Sequence, residues 1–138
     1  MLLRHGIAVD AAEVGGSDEA RTLTAEGREI SSRAAWAMRS LGVRPDTIWT
    51  SPLPRAAQTA ELTAKALGCP QKVQADEALK PGARPQAFVN LLQTSADDAS
   101  VMLVGHNPDL ELFLSYLVSA RGEAGVTLKK GVLAIGKK

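Results

Sequence analysis

Ser100-Val101-Met102-Leu103-Val104-Gly105-His106-Asn107-Pro108 is the stretch on which the fold turns. The apolar run from Val101 shows no polar alternation, the pattern of a strand buried on both faces, and such strands belong to parallel sheets sandwiched between helices. The run stops at Gly105 and a histidine follows at once. Asn107-Pro108 then reads as a helix cap followed by a proline in the first helical position. Strand, turn and helix thus succeed one another within a few residues.

Outward from this stretch the same alternation repeats. Downstream, Leu110, Phe113, Leu114 and Leu117 recur at helical spacing, and residues 132–135 form a last strand candidate. Upstream, a loop with Pro81 and Gly82 leads to a helix from about Pro85 that turns Phe88, Leu91 and Leu92 inward. Residues 72–75 are a short strand candidate. Ser51-Pro52 again reads as cap plus first-turn proline. It would open a helix with Ala56, Ala60, Thr63, Ala64 and Leu67 on its apolar face, closed by Gly68. Residues 47–50 are β-prone. Thr24 is expected to cap a helix that carries Ile30, Ala34, Ala37, Met38 and Leu41 on one face and stops at Gly42. Residues 1–4 make a very short first strand that runs into His5-Gly6 and then a loop over 10–21. Trp36 and Trp49 read as packing residues. The order β-α-β-α-β-α-β-α-β predicts an α/β fold. The expected form is a single three-layer α/β/α domain over residues 1–138, with a mostly parallel sheet and helices on both faces.

Composition removes several classes of function. Hydrophobic residues make up 45% of the 138 and charged residues 22%, as in an ordinary globular domain. Sixteen Lys+Arg against fifteen Asp+Glu give a formal net charge of +1. Such a balance supplies no general attraction to nucleic acid or to an anionic membrane, so neither is expected as a partner, and any anion site must be local. Cys69 is the only cysteine, which excludes an intrachain disulfide and a Cys-based zinc site. Apolar runs are far too short for a membrane span, and the opening Met-Leu-Leu-Arg-His is unlike a secretory leader. A cytoplasmic location is the expectation.

In open α/β sheets, ligands bind beyond the carboxyl ends of the strands. Three predicted strand ends carry reactive groups: Arg4-His5-Gly6, residues 51–55 ending in Arg55, and Gly105-His106-Asn107. Both histidines of the chain stand at such ends. In a doubly wound sheet the two imidazoles meet in one crevice together with Arg4 and Arg55. Two arginines without an obvious carboxylate neighbour describe an anion pocket, because the guanidinium fork matches phosphate oxygens. Helix N-termini near Ser51 and Asn107 add positive partial charge. Ser51 itself reads as a helix cap rather than a nucleophile.

At this point the residues resemble a known family. Leu3-Arg4-His5-Gly6 is similar to the Arg-His-Gly signature of the histidine phosphatase superfamily, the phosphoglycerate mutase-like group. Thr50-Ser51-Pro52-Leu53-x-Arg55-Ala56-x-Gln58-Thr59-Ala60 resembles its second motif, and Val104-Gly105-His106-Asn107-Pro108 its third. Arg21-x-Leu23-Thr24-x-x-Gly27 resembles the segment that opens its first helix. The matches keep the family order and span nearly the whole chain. The short connection over 76–84, with Glu77-x-Leu79-x-Pro81-Gly82, is similar to the small bacterial phosphohistidine phosphatases, whose site is open.

The resemblance implies a covalent mechanism. His5 would take the phosphoryl group as a phosphohistidine, which water then hydrolyses. Arg4, Arg55 and His106 would surround that group, with Gly6 and Asn107 adding contacts to its oxygens. Neither a metal nor any other cofactor is implied. Glu77 is the favoured proton donor for the leaving group, with Asp18 on the opposite loop, or no acid at all, as alternatives. The expected partner is a phosphohistidine-bearing protein. A small phosphorylated substrate is the second reading, and a phosphate- or phosphoprotein-binding module without turnover the third.

Overall fold

The central strand is buried along its whole length because it has a neighbour on each side and helices above and below. In the computed structural model, which describes residues 1–119, 126–131 and 133–135, this strand is Val101–Gly105. In chain order the elements are β1 (Leu2–Arg4), α1 (Ala25–Ser40), β2 (Thr47–Thr50), α2 (Pro54–Leu67), β3 (Val73–Ala75), α3 (Pro85–Gln93), β4 (Val101–Gly105), α4 (Asp109–Val118) and β5 (Leu133–Ala134). The sheet order is β3-β2-β4-β1-β5. All pairings are parallel except that of β5, which runs antiparallel to β1. The expected α/β architecture is present, with one antiparallel edge strand.

Alternation along the strands divides the core in two. Leu3, Ile48, Met102 and Val104 face one side, where they pack with Met38 of α1 and Ala60, Ala64 and Leu67 of α2. Leu2, Val101 and Leu103 face the other, against Phe88 and Leu91 of α3 and Leu110 and Phe113 of α4. The rings of Phe88 and Phe113 stack 4.8 Å apart.

Three local expectations are corrected. The buried face of α1 is Gly27, Ser31, Ala35 and Met38, rotated from the predicted stripe, so that Ile30 and Leu41 lie exposed. Its partner α2 presents the small residues Ala60 and Ala64, and small residues on both helices permit a close approach that large ones would prevent. Trp36 is 56% exposed beside the Arg39 guanidinium instead of in the core. Finally, α2 begins at Pro54 and α4 at Asp109, with Leu53 and Pro108 at their caps. Ser51 and Asn107 therefore cap neither helix, and their side chains serve other partners. Thr24 caps α1 as expected, accepting from the Gly27 N–H at 2.9 Å. No described helix is long and apolar enough to cross a membrane. Of the last strand candidate, Val132 lies outside the described residues.

Candidate active site

Parallel pairing brings the two histidines together. Arg4 stands opposite Gly105 in the β1–β4 register, so both strands release the chain at the same edge. One residue later stand His5 and His106, their ring centroids 5.1 Å apart and their planes tilted by 55°. The His5 N–H still donates to the Gly105 carbonyl at 3.1 Å, which ties the two turns to each other. On the far side of β4, Thr50 pairs with Val104, and the Ser51 N–H donates to the Val104 carbonyl at 3.0 Å. The third strand end thereby joins the first two.

The turn after β1 is tightly held. The Gly6 N–H donates to Thr59 Oγ1 at 3.1 Å, and that hydroxyl donates to the Arg55 carbonyl at 2.7 Å. Thr59 therefore links the turn bearing His5 to the helix bearing Arg55. A Cβ on Gly6 would run into Ser31 Oγ, and one on Gly27 would collide with the Ile7 carbonyl. These two glycines let α1 lie directly against the backbone of the His5 turn. The Thr24 N–H completes the contact by donating to the Ile7 carbonyl at 3.0 Å.

His5 Nδ1 lies 2.8 Å from the Gly6 carbonyl, an acceptor, so Nδ1 carries the proton and Nε2 keeps its lone pair. Burial pushes the His5 pKa down to about 4. The Gly6 hydrogen bond opposes that shift, while the positive charges of Arg55, Arg4 and Lys130 add to it. For His106 burial is again the first cause, followed by His5 and Arg55, and its pKa falls to about 3 despite the Asp18 carboxylate. Both rings are neutral near pH 7. A neutral imidazole with a free Nε2 lone pair is the form needed for attack on phosphorus.

Each arginine is held by partners within the protein. Arg4 Nη1 donates to the Leu128 carbonyl at 2.8 Å. Arg55, almost wholly buried, donates from Nη1 to the Asp18 carbonyl at 2.7 Å and from Nη2 to the Asp18 carboxylate at 3.0 Å. The expectation that neither arginine has a carboxylate neighbour is therefore corrected. The loop over 10–21 folds back far enough to place Asp18 on Arg55. Asp18 also receives Arg21 at 3.0 Å, and that bond, with Arg55, holds its carboxyl below the usual carboxylate range. Six buried side-chain polar atoms have no hydrogen-bond partner among the described residues. Three of them are Arg4 Nε, Arg55 Nε and His106 Nδ1. Orphaned buried polar groups are rare, and their concentration here marks where an anionic ligand would be received.

The remaining expected residues have partners of their own. The Glu77 carboxylate is 76% exposed and sits on Lys80 at 2.9 Å, paired with none of the four central residues. The Gly6 N–H is taken by Thr59, so it is not a free contact for phosphate. The Asn107 side chain donates to Glu111 at 2.6 Å and to the Leu128 carbonyl at 2.9 Å. Three groups escaped the sequence reading. Buried Asp109 accepts from the N–H groups of Gly82 and Ala83 and so holds the connection from β3 to α3. Glu111 accepts from the Leu128 N–H at 2.7 Å and pins the segment 126–131 across the site. That segment brings Lys130 close enough to act on His5. An acidic residue in the first turn of a helix was the one visible signal for Asp109 and Glu111. Among the described residues no three His, Cys, Asp or Glu side chains cluster in a way that would hold a metal ion.

Comparison with known proteins agrees with this geometry. An uncharacterized protein of Picosynechococcus sp. is 36% identical over 135 residues, covering 96% of this chain and 81% of the relative. A structure from Agrobacterium tumefaciens, assigned as the phosphohistidine phosphatase SixA, superposes with a TM-score of 0.76 at 31% identity. The match covers 85% of this chain and 74% of that one. The protein histidine phosphatase SixA in complex with tungstate gives 0.75 at 29% identity, over 84% and 74% of the two chains. Residues 1–83 match the family model described as histidine phosphatase superfamily, branch 1. With both histidines at one sheet edge and more than half its length matched, the chain belongs to the histidine phosphatase superfamily and is a phosphatase of the SixA-like kind.

Proposed function

We propose that the protein removes the phosphoryl group from a phosphohistidine carried by another protein, through a phosphohistidine intermediate on His5. The observation that carries this reading is a pair of neutral imidazoles 5.1 Å apart, with unpartnered nitrogens on Arg4, Arg55 and His106. The His5 Nε2 lone pair forms a bond to phosphorus as the bond from phosphorus to the substrate imidazole breaks. The departing ring takes a proton from water. In the second step a water oxygen attacks phosphorus, the His5 N–P bond breaks, and inorganic phosphate leaves with His5 neutral again. Arg4, Arg55 and His106 offset the charge on the phosphoryl oxygens throughout, which is electrostatic positioning.

The carboxylates favour a phosphohistidine over an ester. An alkoxide leaving group needs a positioned acid, worth about 10²–10⁴ in rate. Asp18 is held ionised by Arg21 and Arg55, and Glu77 is turned to Lys80 in solvent. A P–N bond is labile and its leaving ring accepts a proton readily, so its cleavage asks little of either group. The likeness to proteins described as phosphohistidine phosphatases supports the same choice.

The test mixes the protein with a phosphohistidine-bearing phosphocarrier and follows phosphate release and intact mass, beside His5→Ala. Release by the wild type, a transient gain of one phosphoryl mass, and at least a 10³-fold loss in the variant are expected, about the scale of losing a nucleophile. Turnover confined to small phosphomonoesters would replace the substrate assignment. Phosphate binding with no turnover of either would make the site a receptor.

A further inference from the structure

We propose that Ser51 is a positioning residue: its hydroxyl donates to His106 Nε2 and fixes the second imidazole as the Nδ1–H tautomer, so that Nδ1–H is the donor offered to the transferred phosphoryl group. This inference rests on the phosphatase reading above and adds the hydrogen-bonding state that the reading leaves open.

The contact is direct and buried. Ser51 Oγ lies 2.8 Å from His106 Nε2, with Ser51 0% and His106 2% exposed. Neither residue reaches the other by local sequence, since 55 positions separate them. Parallel pairing of β2 with β4 does it, by placing each one residue beyond its strand. Ser51 is released for this task because α2 starts only at Pro54.

The direction of the bond follows from the proton inventory. A serine hydroxyl has one proton and two lone pairs. Ser51 Oγ already accepts from the Leu53 N–H at 3.3 Å, which leaves its proton to be donated. His106 is neutral and so has one N–H and one bare nitrogen. With Ser51 donating, Nε2 is the bare nitrogen and both groups are satisfied. Reversal would leave the serine proton without an acceptor in a buried place, which is costly. It would also leave a lone pair on Nδ1, the one ring nitrogen not engaged by the protein, to meet phosphoryl oxygens that are themselves acceptors. Repulsion there would work against the charge stabilisation that Arg4 and Arg55 supply.

Long-range ¹H–¹⁵N correlation spectra of the uniformly labelled wild-type protein, without substrate, read the tautomer of His106 directly. The Nδ1–H pattern is expected, and the Nε2–H pattern would overturn the proposal. Ser51→Ala should introduce the Nε2–H form and lower kcat on the phosphocarrier about 10- to 100-fold, the usual effect of removing a group that orients an imidazole through its other nitrogen. KM should change by less than about threefold, because the orienting group acts on the transition state more than on docking. Ser51→Thr, which keeps the hydroxyl, should restore the Nδ1–H pattern and most of kcat. Wild-type kcat in a folded Ser51→Ala protein would overturn the proposal as well. Should Ser51→Ala fail to fold, the wild-type spectrum decides alone. An Nδ1–H spectrum in a protein that releases no phosphate would refute the phosphatase reading and leave the tautomer standing.

Discussion

The two ends of the parallel sheet present opposite solutions to the same packing problem. At the amino ends of β1 and β4, between the sheet and α4, lies a cavity of about 430 Å³ lined by Leu2, Val101, Leu103, Phe113, Leu114 and Leu117 among others. It holds no reactive group from the histidine cluster. At the carboxyl ends, two histidines, two arginines and a serine converge, the imidazoles 5.1 Å apart and the serine hydroxyl 2.8 Å from one of them. The difference shows why volume is a poor guide to chemistry. Apolar side chains that meet imperfectly leave room, whereas polar groups that must satisfy one another draw close and leave specific atoms unpaired. Convergent polar atoms and shifted pKa values mark the candidate site here, and the apolar hollow contains neither histidine and neither arginine of that cluster.

That contrast can be broken at either end. Phe113→Ala, at the apolar end, should lower stability by about 3–5 kcal/mol through lost burial and an enlarged cavity, measured by urea denaturation. Phosphate release by the remaining folded protein should stay within about twofold of wild type. A large fall in kcat would mean that the two ends are mechanically coupled. At the polar end, the depressed pKa values of His5 and His106 make stability depend on pH. Unfolding restores both rings to about 6.5, so between pH 6.5 and about 4 the unfolded chain binds more protons than the folded one. The stability contributed by neutral rings is complete above pH 6.5 and is lost as the pH falls toward 4. Thermal melts across this window should show a falling Tm, flattened in His106→Gln. The acid limb of kcat/KM should be centred near pH 4, where His5 protonates. A limb near 6.5 would show that water penetrates the polar end. The smallest effect is expected from Glu77→Gln, less than about threefold in phosphohistidine hydrolysis, since its carboxylate already sits on Lys80. A loss of 10² or more would restore it as the acid.

Legibility in the sequence followed the range of the interaction. The apolar run at Val101, the alternation of elements and the three strand ends are local patterns, and they were enough to bring Arg4, His5, Arg55 and His106 to one edge. Ser51 and Asn107 carried a genuine local signal, polar residue before proline, that a tertiary contact overrode. Ser51 hydrogen-bonds to His106 because strand register put that partner within reach, whereas the Asn107 side chain turns to the Leu128 carbonyl and to Glu111 in the first turn of α4. The face of α1 was misread for a related reason. Periodicity ranks large apolar residues, whereas the helix packs through Gly27 and Ala35, whose value lies in being small. Asp18 on Arg55 spans 37 positions, and nothing in the composition of the loop signals it.

The assembly of β1 has a consequence for synthesis. Leu2 pairs with Leu103, and Arg4 is held by Leu128, 124 positions later, and by the Gly131 N–H, so this strand waits for partners made long after it. A chain emerging from the ribosome can form α1 against α2 early, because their contacts are nearer in sequence. The strand that leads into His5 has no neighbour until β4 appears, and Arg4 has none of these ties until the segment 126–131 follows. Arg4 is therefore fixed only after residues 126–131 have been made, and a nascent chain that stops before them carries Arg4, His5, Arg55 and His106 without the bonds that hold Arg4 in place.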